Sequence, residues 1–545
     1  MVGYRSDEVK IKHIEVGRSV NVKTMEKIHD ITRPVEQVSL GCHFEGAACP
    51  HPDTSDSQTL AQGVLRRMGR KMPSRNPEFL DRLREHTSQA IKYFDLPPIE
   101  ADYPFLFETW LAQTNYQQWR KDELIKIHDD YVDLLERNDE GELCHFKVKL
   151  FMKAETYMEF KNGRGIYARE DVAKVVFGPY FKEIEKLVYY DPATDQGIKH
   201  FIKHVPVDKR ADFIMEEVYM EAFRSVCTDY SSLEAHFDPD FMDSCEFVLY
   251  EHMLRKTQYG SVILEIMREV LLGVNKIFGN GVRARILGRR MSGEMNTSLG
   301  NGWTNLMLFS MWYIEAGGSF QTLRGVIEGD DGLFCIPVEM KLPTEAFFSE
   351  WGCLIKIIIV DDISTASFCG LIFDQDERKI IADPFKILGN FGYTSNRYAL
   401  CRKSKLNSLL RAKAMSALVQ YDGCPIISVL AKKILELTRS YDVRSVIAKE
   451  RDEWRRGKLI YGMQNYKTYT DTVVGMKTRL LFENMYGIPV AVQISIENSI
   501  SNMTEISPLR FPELLSLFPR DCLDYYEQFQ CAFIVKEGKR VYFMT

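Results

Sequence analysis

Three carboxylates crowd one short stretch of this chain. Residues 323–337 read LRGVIEGDDGLFCIP, with Glu328, Asp330 and Asp331 nearly adjacent. Apolar runs at 323–327 and 333–336 flank Gly329, Asp330, Asp331 and Gly332. That pattern predicts a β-hairpin. Glycine at each end of the turn allows a positive φ. Like charges this close repel and raise one another's pKa. A bound cation relieves the repulsion. Mg²⁺ suits such a place, because it takes carboxylate oxygen and completes its shell with water and substrate phosphate. Taken alone, an acidic turn is usually a solvated turn. The partners elsewhere in the chain decide between the two.

Those partners exist. Asp229 lies in a predicted strand over 225–233, SVCTDYSSL, and Glu234 follows it by five positions. The stretch 292–305, SGEMNTSLGNGWTN, predicts a small-residue loop opening onto a helix from 297 to about 315. Lys356 interrupts an apolar strand over 355–360. The stretch 145–170 carries Lys153, Glu155, Lys161, Arg164 and Arg169 around Gly163 and Gly165. Interspersed cations with glycines suit a ribbon laid along phosphates, or an exposed charged hairpin. Aromatics alternate with Arg120 and Lys121 over 114–124, which suits single-stranded nucleic acid or a polar helix start. Arg66, Arg67, Arg70, Lys71 and Arg75 form a basic run, read as a solvated face or an RNA contact. Cys42, His43, Cys49 and His51 cluster without the C-x₂-C spacing of common zinc sites, so an ordinary loop is expected there.

The elements that must position these residues are mixed. Helices are predicted over 77–94, where Asn76 precedes Pro77, and over 121–137, 208–222, 239–255 and 343–351. Strands are predicted over 146–152, near 283–290 and, as a second hairpin, over 367–373. From about 376 the chain reads as helical, with cations at 401–413 and 444–458.

A chain of 545 residues splits into several subdomains. Its 45% apolar and 27% charged residues are ordinary for a folded protein. No stretch approaches a membrane span, and the first residues lack the apolar region of a secretory signal. The 12 cysteines show no regular framework and are expected as reduced thiols. A net charge of −6 excludes a generally basic surface but not a positively lined internal channel.

In this order the motifs resemble those of the viral RNA-dependent RNA polymerases. Within that family the chain is most similar to the tombusvirus-like and nodavirus-like positive-strand replicases. The resemblance covers residues 100–420 by motif and the rest by position. It implies an α+β right-hand fold of fingers, palm and thumb, the palm built on a small antiparallel sheet with helices. It places an N-terminal extension at 1–100, fingers at 101–220 and 246–290, palm at 221–245 and 291–375, and a mostly helical thumb at 376–545. Asp229 matches the first metal-binding Asp of motif A. Ser292, Gly293, Thr297 and Asn301 match the S-G-x₃-T-x₃-N of motif B. Gly329, Asp330 and Asp331 match motif C, and Lys356 stands where motif D carries its lysine. Phe368, Cys369 and Gly370 resemble motif E, which grips the primer strand. Lys153, Glu155, Lys161, Arg164 and Arg169 resemble motif F, and TNYQQWRK is similar to motif G. One departure stands out: the family's second motif A Asp is here Glu234.

The resemblance implies nucleotidyl transfer with two Mg²⁺ ions, or Mn²⁺ in their place, on Asp229, Asp330 and Asp331. Lys153, Lys161, Arg164 and Arg169 would bind the triphosphate, with Ser292, Gly293 and Thr297 in the nucleotide site. Lys356 would act as general acid toward pyrophosphate, or simply snorkel to solvent. Glu234 and Asn301 would read the ribose 2′-hydroxyl. The implied partners are an RNA template, the nascent strand, rNTPs and other viral replication proteins. The implied location is the host cytoplasm, in membrane-associated replication complexes. A reverse transcriptase would carry an aromatic gate in place of Glu234 and Asn301. A catalytically inactive RNA-binding scaffold would gain nothing from unpaired acids at three matched positions.

Overall fold

The computed structural model describes residues 1–17, 20–24, 33–130, 143, 145–536 and 539–544. The chain is mixed α/β. At its centre is a four-stranded antiparallel sheet in the order Ile355–Val360, Phe223–Tyr230, Asp331–Pro337, Arg324–Glu328. Its inner strands are largely buried on both faces, which explains the apolar run Leu333–Ile336 in one of them. Val226, Phe334 and Ile336 face one core, where Phe309 of the helix Thr297–Glu315 stacks on Phe334 with ring centroids 3.5 Å apart. Cys227, Leu333 and Cys335 face a second core with Ile214, Phe368 and Phe373.

A five-stranded sheet runs Asn21–Thr24, Val282–Leu287, Val274–Gly279, Val148–Met152, Gly165–Arg169. Only the Val148–Met152 and Val274–Gly279 pairing in it is parallel. Val148, Leu150 and Met152 alternate inward against Leu60, Val64 and Met68 of the helix Ser57–Met68. The C-terminal helices Lys403–Gln420, Ile427–Leu437 and Val490–Ser501 share a third core with Leu40, Cys42 and Phe44 from near the N-terminus. The helical C-terminal region ends in a hairpin, Cys531–Lys536 with Lys539–Met544, that the sequence reading did not foresee. Among the described residues no helix is long and apolar enough to cross a membrane, and every cysteine is a free thiol.

Several expected elements shift. The helix expected at 77–94 forms as Phe79–Tyr93; Asn76 Oδ1 accepts from the Glu78 N–H at 3.0 Å and closes a turn before it. The helix expected at 121–137 forms as Gln118–Asp129, and its later residues lie outside those described. The helix expected at 208–222 is confined to Arg210–Glu217. The helix expected at 239–255 breaks at Cys245 into Pro239–Ser244 and Glu246–Leu254. Arg283 and Arg285 point outward on their strand, but Arg289 and Arg290 leave it and are buried.

Candidate active site

The acidic turn is tighter than the sequence suggested. Only Gly329 and Asp330 form it, and Glu328 and Asp331 already pair across the two strands. Gly329 has φ +65° and Asp330 has no positive φ, the pattern of a type II′ hairpin. Gly332 serves a different purpose. It sits in the strand, and a Cβ there would lie 2.5 Å from Thr228 Oγ1 and 2.6 Å from the Phe334 ring. Its lack of a side chain lets the Asp229 strand close up. Thr228 pairs with Gly332, so one step along the register brings Asp229 opposite Asp331. Asn305, one of the residues quoted in the loop–helix stretch but given no role there, pins the turn. Its amide Nδ2 donates to the carbonyls of Gly329 at 3.3 Å and Asp330 at 3.2 Å.

Burial raises all three aspartates, and Asp330 adds to the rise of the other two. Burial, then Asp330 and Asp229, push the Asp331 carboxyl up to about 7. Burial and Asp330 raise Asp229, while Lys356, Lys161 and Arg164 pull it back. Burial raises Asp330, and Arg164 opposes the rise. This donor set is all carboxylate oxygen, which suits a hard divalent ion. Among the described residues no group of three His, Cys, Asp or Glu side chains is placed to hold a metal ion by itself. Mg²⁺ does not require one, because it keeps waters and substrate phosphates in its shell.

Asp330 looks into a cavity of about 650 Å³. Lys153, Arg164, Glu234, Ser292, Thr297 and Asn301 also line it, so the structure brings these sequence-predicted residues together. Thr114 and Tyr116 of the predicted aromatic–basic stretch reach it as well. Glu155 organises the cations: Lys153 Nζ lies 2.7 Å from its carboxylate, Arg164 Nε 3.6 Å, and the Tyr157 hydroxyl donates to it at 2.9 Å. Lys356 is the cross-strand partner of Asp229, and both are exposed on the same face. Lys161 sits over the Tyr157 ring at 4.5 Å, close enough to Asp229 to lower its pKa.

The loop before the long helix is docked on the cationic ribbon. The Ser292 hydroxyl donates to the Gly165 carbonyl at 3.0 Å, and the Gly293 N–H donates to the Tyr167 carbonyl at 3.1 Å. A Cβ on Gly293 would lie 2.9 Å from that same oxygen. The Thr297 hydroxyl donates to Met291 and Glu294 carbonyls at 3.0 Å. Ser292, Gly293 and Thr297 therefore shape the loop with the groups that were expected to touch nucleotide. Asn301 Oδ1 accepts from Arg290 Nε at 3.1 Å, and Arg290 is held by Glu246 in a pair whose side chains are only 2% exposed.

Two expectations need correction. Arg169 does not face the cavity. Its guanidinium bonds Glu294 at 2.5 Å, the Phe146 carbonyl at 3.1 Å and Asn275, and its side chain is only 6% exposed. Strand parity is the cause: Arg169 shares the inward face of Gly165 and Tyr167. Glu234 is not at the end of a strand. Ser232, at φ +58°, turns the chain into a 3₁₀ turn over Leu233–Ala235. There Glu234 Oε1 meets Arg67 Nε at 2.7 Å. The basic run 66–75 is likewise a set of tertiary ties: Arg66 to the Ile14 carbonyl, Lys71 to Glu15, and Arg75 to Asp238 and the His236 carbonyl.

The Cys/His cluster does not converge. His43 Nδ1 bonds Ser39 Oγ and His51 Nδ1 bonds the Pro52 carbonyl, each at 2.8 Å. Cys49 meets Met158 Sδ at 3.6 Å. Burial pushes the Cys42 thiol up to about 12.

A hairpin bearing paired carboxylates, one of them open to a cation-lined cavity, beside a strand bearing a third, has the residue types that phosphoryl transfer uses. The comparison with known families agrees. Residues 112–409 match the family described as RNA dependent RNA polymerase, and the chain belongs to that family. It is 19% identical over 356 residues to the RNA-directed RNA polymerase of Tobacco necrosis virus (strain D). The match covers 62% of this chain and 47% of that protein, so the chain spans about half the length of the curated relative it matches.

Proposed function

We propose that this chain copies an RNA template by adding ribonucleotides to a growing 3′ end. The observation that carries the reading is that Asp330, close to Asp229 and Asp331, opens on a cavity that Lys153 and Arg164 also line. The four-stranded sheet would be the palm, the five-stranded sheet and its helices the fingers, and the C-terminal helices the thumb. Asp229, Asp330 and Asp331 would hold two divalent ions, Mg²⁺ or Mn²⁺, whose chemistry is to activate the attacking hydroxyl and stabilise the leaving oxygen. Arg164 and Lys153 would take the triphosphate. Both reach the cavity wall, and Arg164 already interacts with Asp330 and Asp229. Lys161 lies on the same side and would add charge there. Lys356, beside Asp229, would supply the proton for departing pyrophosphate.

Asn301 would read the ribose 2′-hydroxyl. Arg290 occupies its carbonyl oxygen, so its amide N–H groups are the ones free to turn toward substrate. Glu234 lines the same wall and would accept from that hydroxyl with the oxygen lone pairs Arg67 leaves unused.

The test is primer extension on a homopolymer RNA template with purified protein, Mg²⁺ or Mn²⁺, and rNTPs or dNTPs. Asp330→Asn and Asp229→Asn should lower incorporation by several orders of magnitude while leaving the melting temperature unchanged or raised, since each removes a like charge. Near-normal incorporation by either variant refutes the proposal.

A further inference from the structure

The helix Ser57–Met68 lies outside the family-matched residues 112–409, yet it touches the candidate site at two places. Its Gly63 packs directly on the cationic ribbon. A Cβ at Gly63 would come within 2.3 Å of the Gly163 carbonyl oxygen, next to Arg164. One turn later, on the same side of the helix, Arg67 reaches Glu234 with Nε 2.7 Å from Oε1. The two side chains are 20% and 16% exposed, so the pair is shielded from bulk water on most sides. Just past the helix, Arg70 Nη1 approaches Ser232 Oγ at 3.5 Å, at the left-handed residue that turns the chain toward Glu234. The helix therefore spans from the triphosphate-binding ribbon to the sugar-facing carboxylate.

We infer that Arg67 is a positioning residue for sugar discrimination: it fixes Glu234, and the helix that carries it sets the distance between Glu234 and the Lys161–Arg164 ribbon. The inference rests on Glu234 reading the ribose, as proposed above. The physical need is plain. A glutamate has one more rotatable bond than the aspartate of the resembled motif, and each free torsion offers alternative rotamers. A guanidinium held by its own helix removes that freedom and keeps the carboxylate ionised, leaving one oxygen for the substrate. Lysine, a point charge on a flexible stem, would hold the charge but not the direction.

The experiment measures the rNTP-over-dNTP ratio of kcat/KM for Arg67→Ala, Arg67→Lys, Glu234→Ala and the double variant R67A/E234A, with thermal melts on each. Glu234→Ala should narrow the ratio roughly tenfold or more. Arg67→Ala should narrow it to a similar extent, Arg67→Lys should recover only part, and the double variant should match Glu234→Ala. That non-additivity marks action through one carboxylate, which general destabilisation does not produce. Gly63→Ala keeps the test open should Arg67→Ala fail to fold: it retains both charged side chains but pushes the helix off Gly163, and should narrow the rNTP-over-dNTP ratio, an unchanged ratio in the folded variant overturning the inference. A narrowed ratio in Glu234→Ala with an unchanged one in Arg67→Ala overturns the positioning role alone. An unchanged ratio in Glu234→Ala overturns the sugar reading and this inference with it. Additive losses in the double variant also overturn it.

Discussion

Two arginines five residues apart should fail in opposite ways. Arg164 and Arg169 belong to one ribbon, but Arg164 lines the cavity with its side chain 44% exposed, and Arg169 is buried against Glu294. Arg164→Ala removes a cation that faces the aspartates and, when nucleotide is bound, its phosphates. Charge-assisted hydrogen bonds to such groups are worth about 1.5–3 kcal/mol. The KM should therefore rise roughly ten- to a hundredfold, equally for all four nucleotides, because phosphate is common to them. Arg169→Ala instead strands Glu294 in a buried site. Breaking one partner of a buried pair typically costs about 3–5 kcal/mol. Burial already raises the Glu294 carboxyl despite Arg169, so proton uptake will limit the loss to the lower part of that range. The melting temperature should fall and the KM of the surviving folded protein should change little. Steady-state incorporation with each nucleotide in turn, and melts on both variants, read the two effects separately. A raised KM with normal stability in Arg169→Ala, or a base-selective defect in Arg164→Ala, would refute the reasoning.

Three further outcomes follow from the structure. Asn301→Ala should narrow the preference for rNTPs over dNTPs by about ten- to a hundredfold without abolishing metal-dependent synthesis, which paired nucleotide assays check. His236 is buried and neutral, its Nε2 accepting from the Leu354 N–H at 2.8 Å, and burial lowers its pKa from 6.5 to about 4. The unfolded chain then binds more protons below pH 6.5, so stability present above 6.5 is lost as pH falls toward 4, by about 3 kcal/mol at most. His236→Gln should flatten the dependence of unfolding free energy on pH between 6.5 and 5, and an unchanged slope would count against it. Purified protein should carry no stoichiometric zinc, and metal analysis showing zinc that is lost on Cys42→Ser would disprove this.

How much of this was legible in the sequence depends on the range of each contact. The acidic hairpin, the loop before the long helix and the strand holding Lys356 are set by local spacing, and they formed close to where the residues indicated. The second hairpin was equally local: Cys369 and Gly370 both take positive φ, as a type I′ turn requires. Arg169 departs from the expected role although the sequence carries a signal for it. Counting by twos from Tyr167, a buried aromatic, places Arg169 on the inward face. Nothing local announces the tie between Arg67 and Glu234, which are 167 positions apart. Glu234 reads as a strand residue until Ser232 is known to adopt a left-handed conformation, which serine rarely takes.

The uncharged contacts explain why such a site can be built before any cation arrives. Crowding Asp229, Asp330 and Asp331 opposes folding, so something other than their charges must hold their backbones in place. Asn305 clamps both carbonyls of the turn, Gly329 supplies the positive φ, and Gly332 lets Thr228 close on the hairpin. None of these groups titrates, and they hold the end of a sheet packed on both faces. Carboxylate repulsion is thus left to the side chains, where proton uptake relieves it, while the backbone positions stay fixed by packing. A site assembled in this way spends its binding interactions on substrate and metal rather than on ordering itself, which is the condition for electrostatic stabilisation to act in the transition state.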